Sequence, residues 1–138
     1  MKIKTSTLTR TALDYAVAIA KGMRKEDIKL PWRKDGSLYT NLRDEDGNLN
    51  GKYMTGPDLI FSRMWEAGGP IIEREFIELT VVACGHNSPL AVGNTWCAAI
   101  GVPDQDMLEA YGPTPLIAAM RCFVASKLGN EVDIPDRL

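Results

Sequence analysis

Near the C-terminal end the chain runs Gly112-Pro113-Thr114-Pro115, then Leu116 to Leu128, then Gly129-Asn130, and no other stretch restricts the fold so tightly. The Thr114 hydroxyl can accept from a backbone N–H that a first helical turn leaves unpaired, and Pro115 suits the first helical position, where its missing N–H costs nothing. Lys127 complements the negative end of the helix dipole, and Gly129 can take the left-handed conformation that ends a helix. A helix over Pro115 to Leu128 follows. At 100° per residue Leu116, Ile117, Met120, Phe123, Val124 and Leu128 form a broad apolar arc, and Ala118, Ala119, Cys122 and Ala125 occupy most of the rest. Such a helix is expected to be buried on nearly all sides, by a sheet on one flank and by another helix or a second subunit on the other. Arg121 interrupts the arc, where an unpaired guanidinium is costly to bury. It either reaches past the helix to a carboxylate or to surface water, or contacts an anionic ligand.

The run GPTPLIAAMRCFVASKLGNEVDIP, together with WEAGGPIIERE and the opening KTSTLTRTALDYAVAIAKG, resembles the NinX-like proteins of unknown function from tailed phages and prophages. The resemblance implies a small phage accessory protein acting in the cytoplasm of the bacterial host. By itself it implies no activity.

With 138 residues, 45% of them hydrophobic, the chain suits one core and a single domain over 1–138. A formal charge of −2 gives no general attraction to nucleic acid or to anionic membrane. Basic residues do gather between Lys21 and Lys34, but Glu26 and Asp27 interrupt them, the alternation of a solvated surface. Three cysteines, Cys84, Cys97 and Cys122, form no disulfide framework, and no apolar run approaches the ~20 residues that span a bilayer.

Upstream, Met1 to Lys4 reads as a short strand, and Thr9 as the cap of a helix from Arg10 to Lys21, with Gly22 as its stop. Asp35-Gly36 and Asp46-Gly47 are turn pairs between the short strands of a hairpin excursion that carries Trp32, Tyr39 and Tyr53. Leu59, Ile60, Met64 and Trp65 suggest a short helix ending at Gly68-Gly69, with Pro70 starting another segment. Phe76 to Ala83 and Thr95 to Val102 read as core strands. Pro103 to Tyr111 reads as a loop with a helical turn at Asp106 to Ala110, and Val132 and Ile134 as an edge strand. The expected fold is α+β, two main helices packed on one face of a mostly antiparallel sheet.

Chemistry is sparse. Cys84, His86, Cys97 and Cys122 contain no C-x-x-C pair, so no metal is expected, and no cofactor. Cys84 and His86, or Glu73, Glu75 and Glu78, could in principle support catalysis, but neither set forms a catalytic constellation, and the expectation is a protein without enzymatic activity. Gly68-Gly69-Pro70 could aim free N–H groups at an anion, with Trp65 stacking and Arg74 supplying charge. The expected function is capture of a small anionic, nucleotide-derived ligand, an immune signal held by an oligomer. The candidate contacts are Trp65, Gly68, Gly69, Arg74 and Arg121, with Tyr53, Trp32 and Trp96. The alternative is an adaptor for host or phage nucleic-acid-processing proteins or for DNA.

Overall fold

The computed structural model describes residues 1–31, 36–54, 56–82, 93 and 95–138, and of residues 53, 54, 56 and 57 only the backbone. In chain order the elements are β1 (Lys2–Lys4), α1 (Arg10–Ala20), β2 (Ile28–Lys29), β3 (Tyr39–Arg43), β4 (Leu49–Met54), α2 (Trp65–Arg74), β5 (Glu78–Val81), β6 (Trp96–Ile100), β7 (Leu108–Gly112), α3 (Pro115–Leu128) and β8 (Glu131–Asp133). The fold is α+β. Among the described residues the strands form three antiparallel sheets, β1-β8, β2-β3-β4 and β5-β6-β7, where the sequence suggested one.

The long helix spans the residues its caps dictate. Thr114 Oγ1 accepts from the Ile117 N–H at 3.1 Å, and Gly129, at φ 90°, donates its N–H to the Ala125 carbonyl at 3.0 Å. α3 packs along β6 and β7, and α1 and α2 pack against α3. α1 thus reaches the core chiefly through α3 instead of lying beside it on the sheet. Leu116 and every residue from Ala118 to Val124 are buried by this one chain. Most of the apolar helix surface that pointed to a second subunit is therefore covered within the chain, while Leu128 at its end stays 37% exposed.

Register explains which side of the sheet faces α3. Leu79 lies opposite Ala98, and Ala98 opposite Ala110, so Trp96, Ala98, Ile100, Leu108 and Gly112 share the inner face. Glu78, Thr80, Cys97, Glu109 and Tyr111 alternate onto the other. β7 replaces the loop and helical turn expected at Asp106 to Ala110. Its alternation is present in Leu108-Glu109-Ala110-Tyr111-Gly112, but with inward residues as small as Ala and Gly it carries little hydrophobic signal. Small residues are required there: a Cβ on Gly112 would lie 2.5 Å from the Ala118 nitrogen.

The largest departure from the sequence-based expectation is at Gly68-Gly69-Pro70, which is no turn but the middle of α2. Gly68 is a packing residue, because a Cβ there would collide with the Phe61 carbonyl oxygen and approach Leu116 Cδ2 to 2.7 Å. Pro70 removes one helical hydrogen bond, but Pro70 and Glu66 are both exposed, so the freed Glu66 carbonyl faces solvent. The helix ends instead after Arg74. The Ile77 N–H donates to the Ile72 carbonyl at 3.0 Å and the Phe76 N–H to the Glu73 carbonyl at 3.4 Å, the paired pattern in which glycine usually occupies the left-handed position. Here that position is Phe76, at φ 52° and 88% exposed.

Two polar anchors tie loops to this frame. Asp27 accepts from Arg43 Nε and Nη2, both at 2.8 Å, while Arg43 Nη1 donates to the Gly47 carbonyl. The hydrogen bond from Arg43 is the main reason that the Asp27 carboxyl is held below its usual range. Asp14, on the buried side of α1, accepts from the Ser62 backbone N–H at 2.8 Å and from Arg63 Nη2 at 3.4 Å. The Ser62 hydroxyl lies close enough to favour the Asp14 carboxylate, yet finds no well-formed hydrogen bond among the described residues. Burial outweighs all of these and pushes the Asp14 pKa upward.

Gly68→Ala should destabilise the protein by about 1–3 kcal/mol, the usual cost of overpacking, measured as a lowered urea midpoint. Phe76→Gly should stabilise it by about 0.5–1 kcal/mol, since relief of left-handed strain exceeds the entropy that glycine adds to the unfolded chain. Because the Asp14 pKa is raised on folding, the stability linked to its protonation is full below the ordinary value of 3.8 and is lost as pH rises through the folded value. Asp14→Asn, which keeps an acceptor for the Ser62 N–H, should therefore gain stability relative to the unsubstituted protein as pH rises from about 3.5 to neutrality. Urea unfolding across that range measures it.

Candidate functional site

α2 does not bring Trp65 and Arg74 together. They are nine residues apart on one helix, which places them about 13 Å apart along its axis and on opposite sides of it. Trp65, 55% exposed, opens the helix, and a Cβ on Gly69 would sit 3.7 Å from its Cε3, so the indole lies over the Gly69 backbone. With Gly68 buried and Pro70 mid-helix, no helix N-terminus presents donors there. Arg74 is at the far end, its Nε 3.5 Å from Glu75 Oε1, and Lys127 Nζ approaches the same carboxylate at 3.8 Å. Lys21, whose ammonium lies 5.0 Å from the centre of the buried Phe61 ring, has its pKa lowered by burial and then by the charge of Arg74. Lys21, Arg74 and Lys127 each follow or end a helix, so the dipoles of three helix C-termini, with Glu75, already answer these charges.

Trp96 starts β6 opposite Gly112, half-buried against the core. Tyr53 pairs through its backbone with Asn41 in the β3-β4 hairpin, and its side chain lies outside the described residues. Trp32, Cys84 and His86 lie outside them as well. Glu73 is exposed on α2, while Glu75 is engaged by Arg74 and Lys127. The two described cysteines are free. Burial pushes the Cys122 thiol up to about 12, and burial together with Glu109 raises Cys97, so neither is primed as a thiolate. Among the described residues no cluster of three or more His, Cys, Asp or Glu could hold a metal.

Arg121 is different. It is 6% exposed, its Nε donates to the Leu8 carbonyl at 2.9 Å and its Nη1 to the Tyr111 carbonyl at 2.8 Å. Among the described residues no carboxylate receives it, one of the outcomes its place on the helix first suggested. The carbonyls satisfy part of its hydrogen-bonding fork but supply no counter-charge, and burial is the one influence on its pKa, which it lowers. Arg121 lines a cavity of ≈ 220 Å³ shared with Lys4, Ser6, Asn130, Glu109 and Glu131. β1 supplies Lys4, the end of α3 and the start of β8 supply Asn130 and Glu131, and β7 supplies Glu109. The site thus joins the two ends of the chain to its middle. Lys4 is exposed and has no ion pair among the described residues, while Glu109 and Glu131 are exposed at the mouth.

The two signs are not equivalent in strength. At a separation of about 4 Å, opposite unit charges attract by ~4 kcal/mol in a surroundings of effective dielectric 20 and ~1 kcal/mol in water. The buried guanidinium therefore outweighs carboxylates that water screens. The cavity can accept one small oxyanion without a proton transfer or a metal, and the exposed carboxylates disfavour a ligand carrying several negative charges.

The sequence matches, over residues 4–127, the family described as Bacteriophage P22, NinX. The chain belongs to that NinX family. No curated protein matches it. The matched range includes Lys4, Glu109 and Arg121, whereas Asn130 and Glu131 lie beyond it. Among the described residues no helix is long and apolar enough to cross a membrane.

Proposed function

We propose that this NinX-family chain is a non-catalytic phage accessory protein that binds and holds a small nucleotide-derived anion in the host cytoplasm, with Arg121 and Lys4 as the charge-bearing contacts. The observation that carries the proposal is buried Arg121, whose guanidinium has carbonyl partners but no counter-ion among the described residues and which borders a cavity. A phosphoryl oxygen can supply what the carbonyls cannot. Ser6 and Asn130 offer hydrogen bonds suited to a sugar, and the mouth carboxylates can accept from sugar hydroxyls or an exocyclic amine. Their charge also favours a ligand with a single phosphate, such as a nucleoside monophosphate or a cyclic mononucleotide, over a polyphosphate. That the ligand is an immune signal rests on the analogy with phage proteins that sequester such molecules.

Isothermal titration with 5′-monophosphates, cyclic monophosphates and triphosphates tests this, followed by mass spectrometry of the recovered ligand. Singly phosphorylated ligands should bind and return unaltered. Arg121→Met should weaken binding by about 1.5–3 kcal/mol, the worth of a hydrogen bond to a charged group. Because Arg121 also holds two carbonyls, the surface variant Lys4→Ala is the cleaner probe: it should lower affinity by about two- to fivefold and flatten its salt dependence while leaving stability unchanged.

A second reading, an adaptor for nucleic-acid-processing proteins, is supported by Trp65 and Phe76, large aromatic side chains exposed at the two ends of α2. Loss of partner capture in Trp65→Ala and Phe76→Ala, with nucleotide binding absent, would favour it.

A further inference from the structure

Independently of the anion cavity, we infer that a groove between α1 and β8 is a second binding site, for a compact uncharged ligand that is apolar over most of its surface and carries one group able to hydrogen-bond Tyr15. The groove holds ≈ 440 Å³, within the range of small-molecule sites, and Ile19, Met23, Leu128, Val132 and Ile134 give it apolar walls.

Its polar groups define the ligand. Tyr15 is 3% exposed and lines the groove; its hydroxyl makes no hydrogen bond among the described residues and is not sealed from solvent. A phenol in largely apolar surroundings ordinarily finds a partner for its hydroxyl. The charged groups at the rim are of both signs, Lys25 against Glu131 and Asp133. Asp133 accepts from the Met1 ammonium at 2.9 Å, with Lys25 and Lys2 acting on it in the same sense. An ionic ligand meets a like charge at this mixed rim whatever its sign and competes with the Met1–Asp133 pair, whereas a neutral one leaves that pair intact. Water entering the groove can serve the hydroxyl but leaves the walls wetted. A ligand with an apolar body and a single polar group satisfies both.

Four probes separate the possibilities: phenol, toluene, benzoate and benzylamine, each titrated into the intact protein while backbone amide shifts are followed by NMR. Phenol should move amides of Tyr15, Ile19, Met23 and Val132 and bind about tenfold more tightly than toluene, the factor for one neutral hydrogen bond. Benzoate and benzylamine should bind more weakly than phenol. Tyr15→Phe, which removes a hydroxyl that makes no internal bond, should keep the same unfolding midpoint and erase the preference for phenol over toluene. Ile19→Trp should fill the groove and abolish binding of both, and Lys4→Ala should leave both unchanged, separating this site from the anion cavity. Failure of every probe to bind, shifts that map elsewhere, equal binding of the charged probes, or a phenol preference that survives in Tyr15→Phe would each overturn the inference.

Discussion

The burial of α3 is the interaction on which the rest of the structure depends. A helix with apolar residues on almost every side cannot rest on one sheet alone, and the fold answers by giving it a sheet on one flank and two helices elsewhere. Close approach on two sides requires missing side chains. Gly112 lets β7 run into the first turn of α3, and Gly68 lets α2 reach Leu116 and the Phe61 turn. The two glycines serve backbone proximity, not ligand proximity.

The same burial gives Arg121 its character. A guanidinium on a helix packed this tightly can reach only what the neighbouring elements offer, here the carbonyls of Leu8 and Tyr111. It braces the segment before α1 against the end of β7, and it keeps a positive charge that no carboxylate among the described residues neutralises. Asp14 is the acidic counterpart, a buried carboxylate held by the Ser62 N–H and Arg63, with burial raising its pKa. One of these buried ions borders a cavity and the other fastens a turn. That difference in surroundings separates a candidate contact from a structural anchor.

The candidate sites lie where the two ends of the chain meet. The β1-β8 ribbon contributes Lys4 and Glu131 to the anion cavity and Glu131, Val132 and Asp133 to the apolar groove, and α3 borders both. Because β1 and β8 pair with each other and with no other strand among the described residues, their position is set by packing of Ile3 and Val132 on the core. Changes in that packing would reach both cavities.

Local chemistry in the sequence was enough to set α3 to the residue, since Thr114, Pro115 and Gly129 act on their own neighbours and need no tertiary partner. It also placed α1 within one residue, the Asp46-Gly47 turn and the strand character of β5, β6 and β8. Arg121 stood out as the one charge in an apolar arc. What it touches was not legible, because Leu8 and Tyr111 are distant in sequence and present only backbone carbonyls, which carry no residue signature. Gly68-Gly69-Pro70 misled for a related reason: glycine and proline usually mark turns, and only the closeness of Phe61 and Leu116 turns Gly68 into a helix residue. Tyr15 looked like any residue of an amphipathic helix, and the lack of a partner for its hydroxyl depends on what surrounds it in space. The sequence by itself determined the elements whose hydrogen bonds are local. The tertiary structure decided which polar groups were left buried with an unanswered charge or an open hydrogen bond, because burial and pairing are properties of neighbours that the chain brings together only on folding.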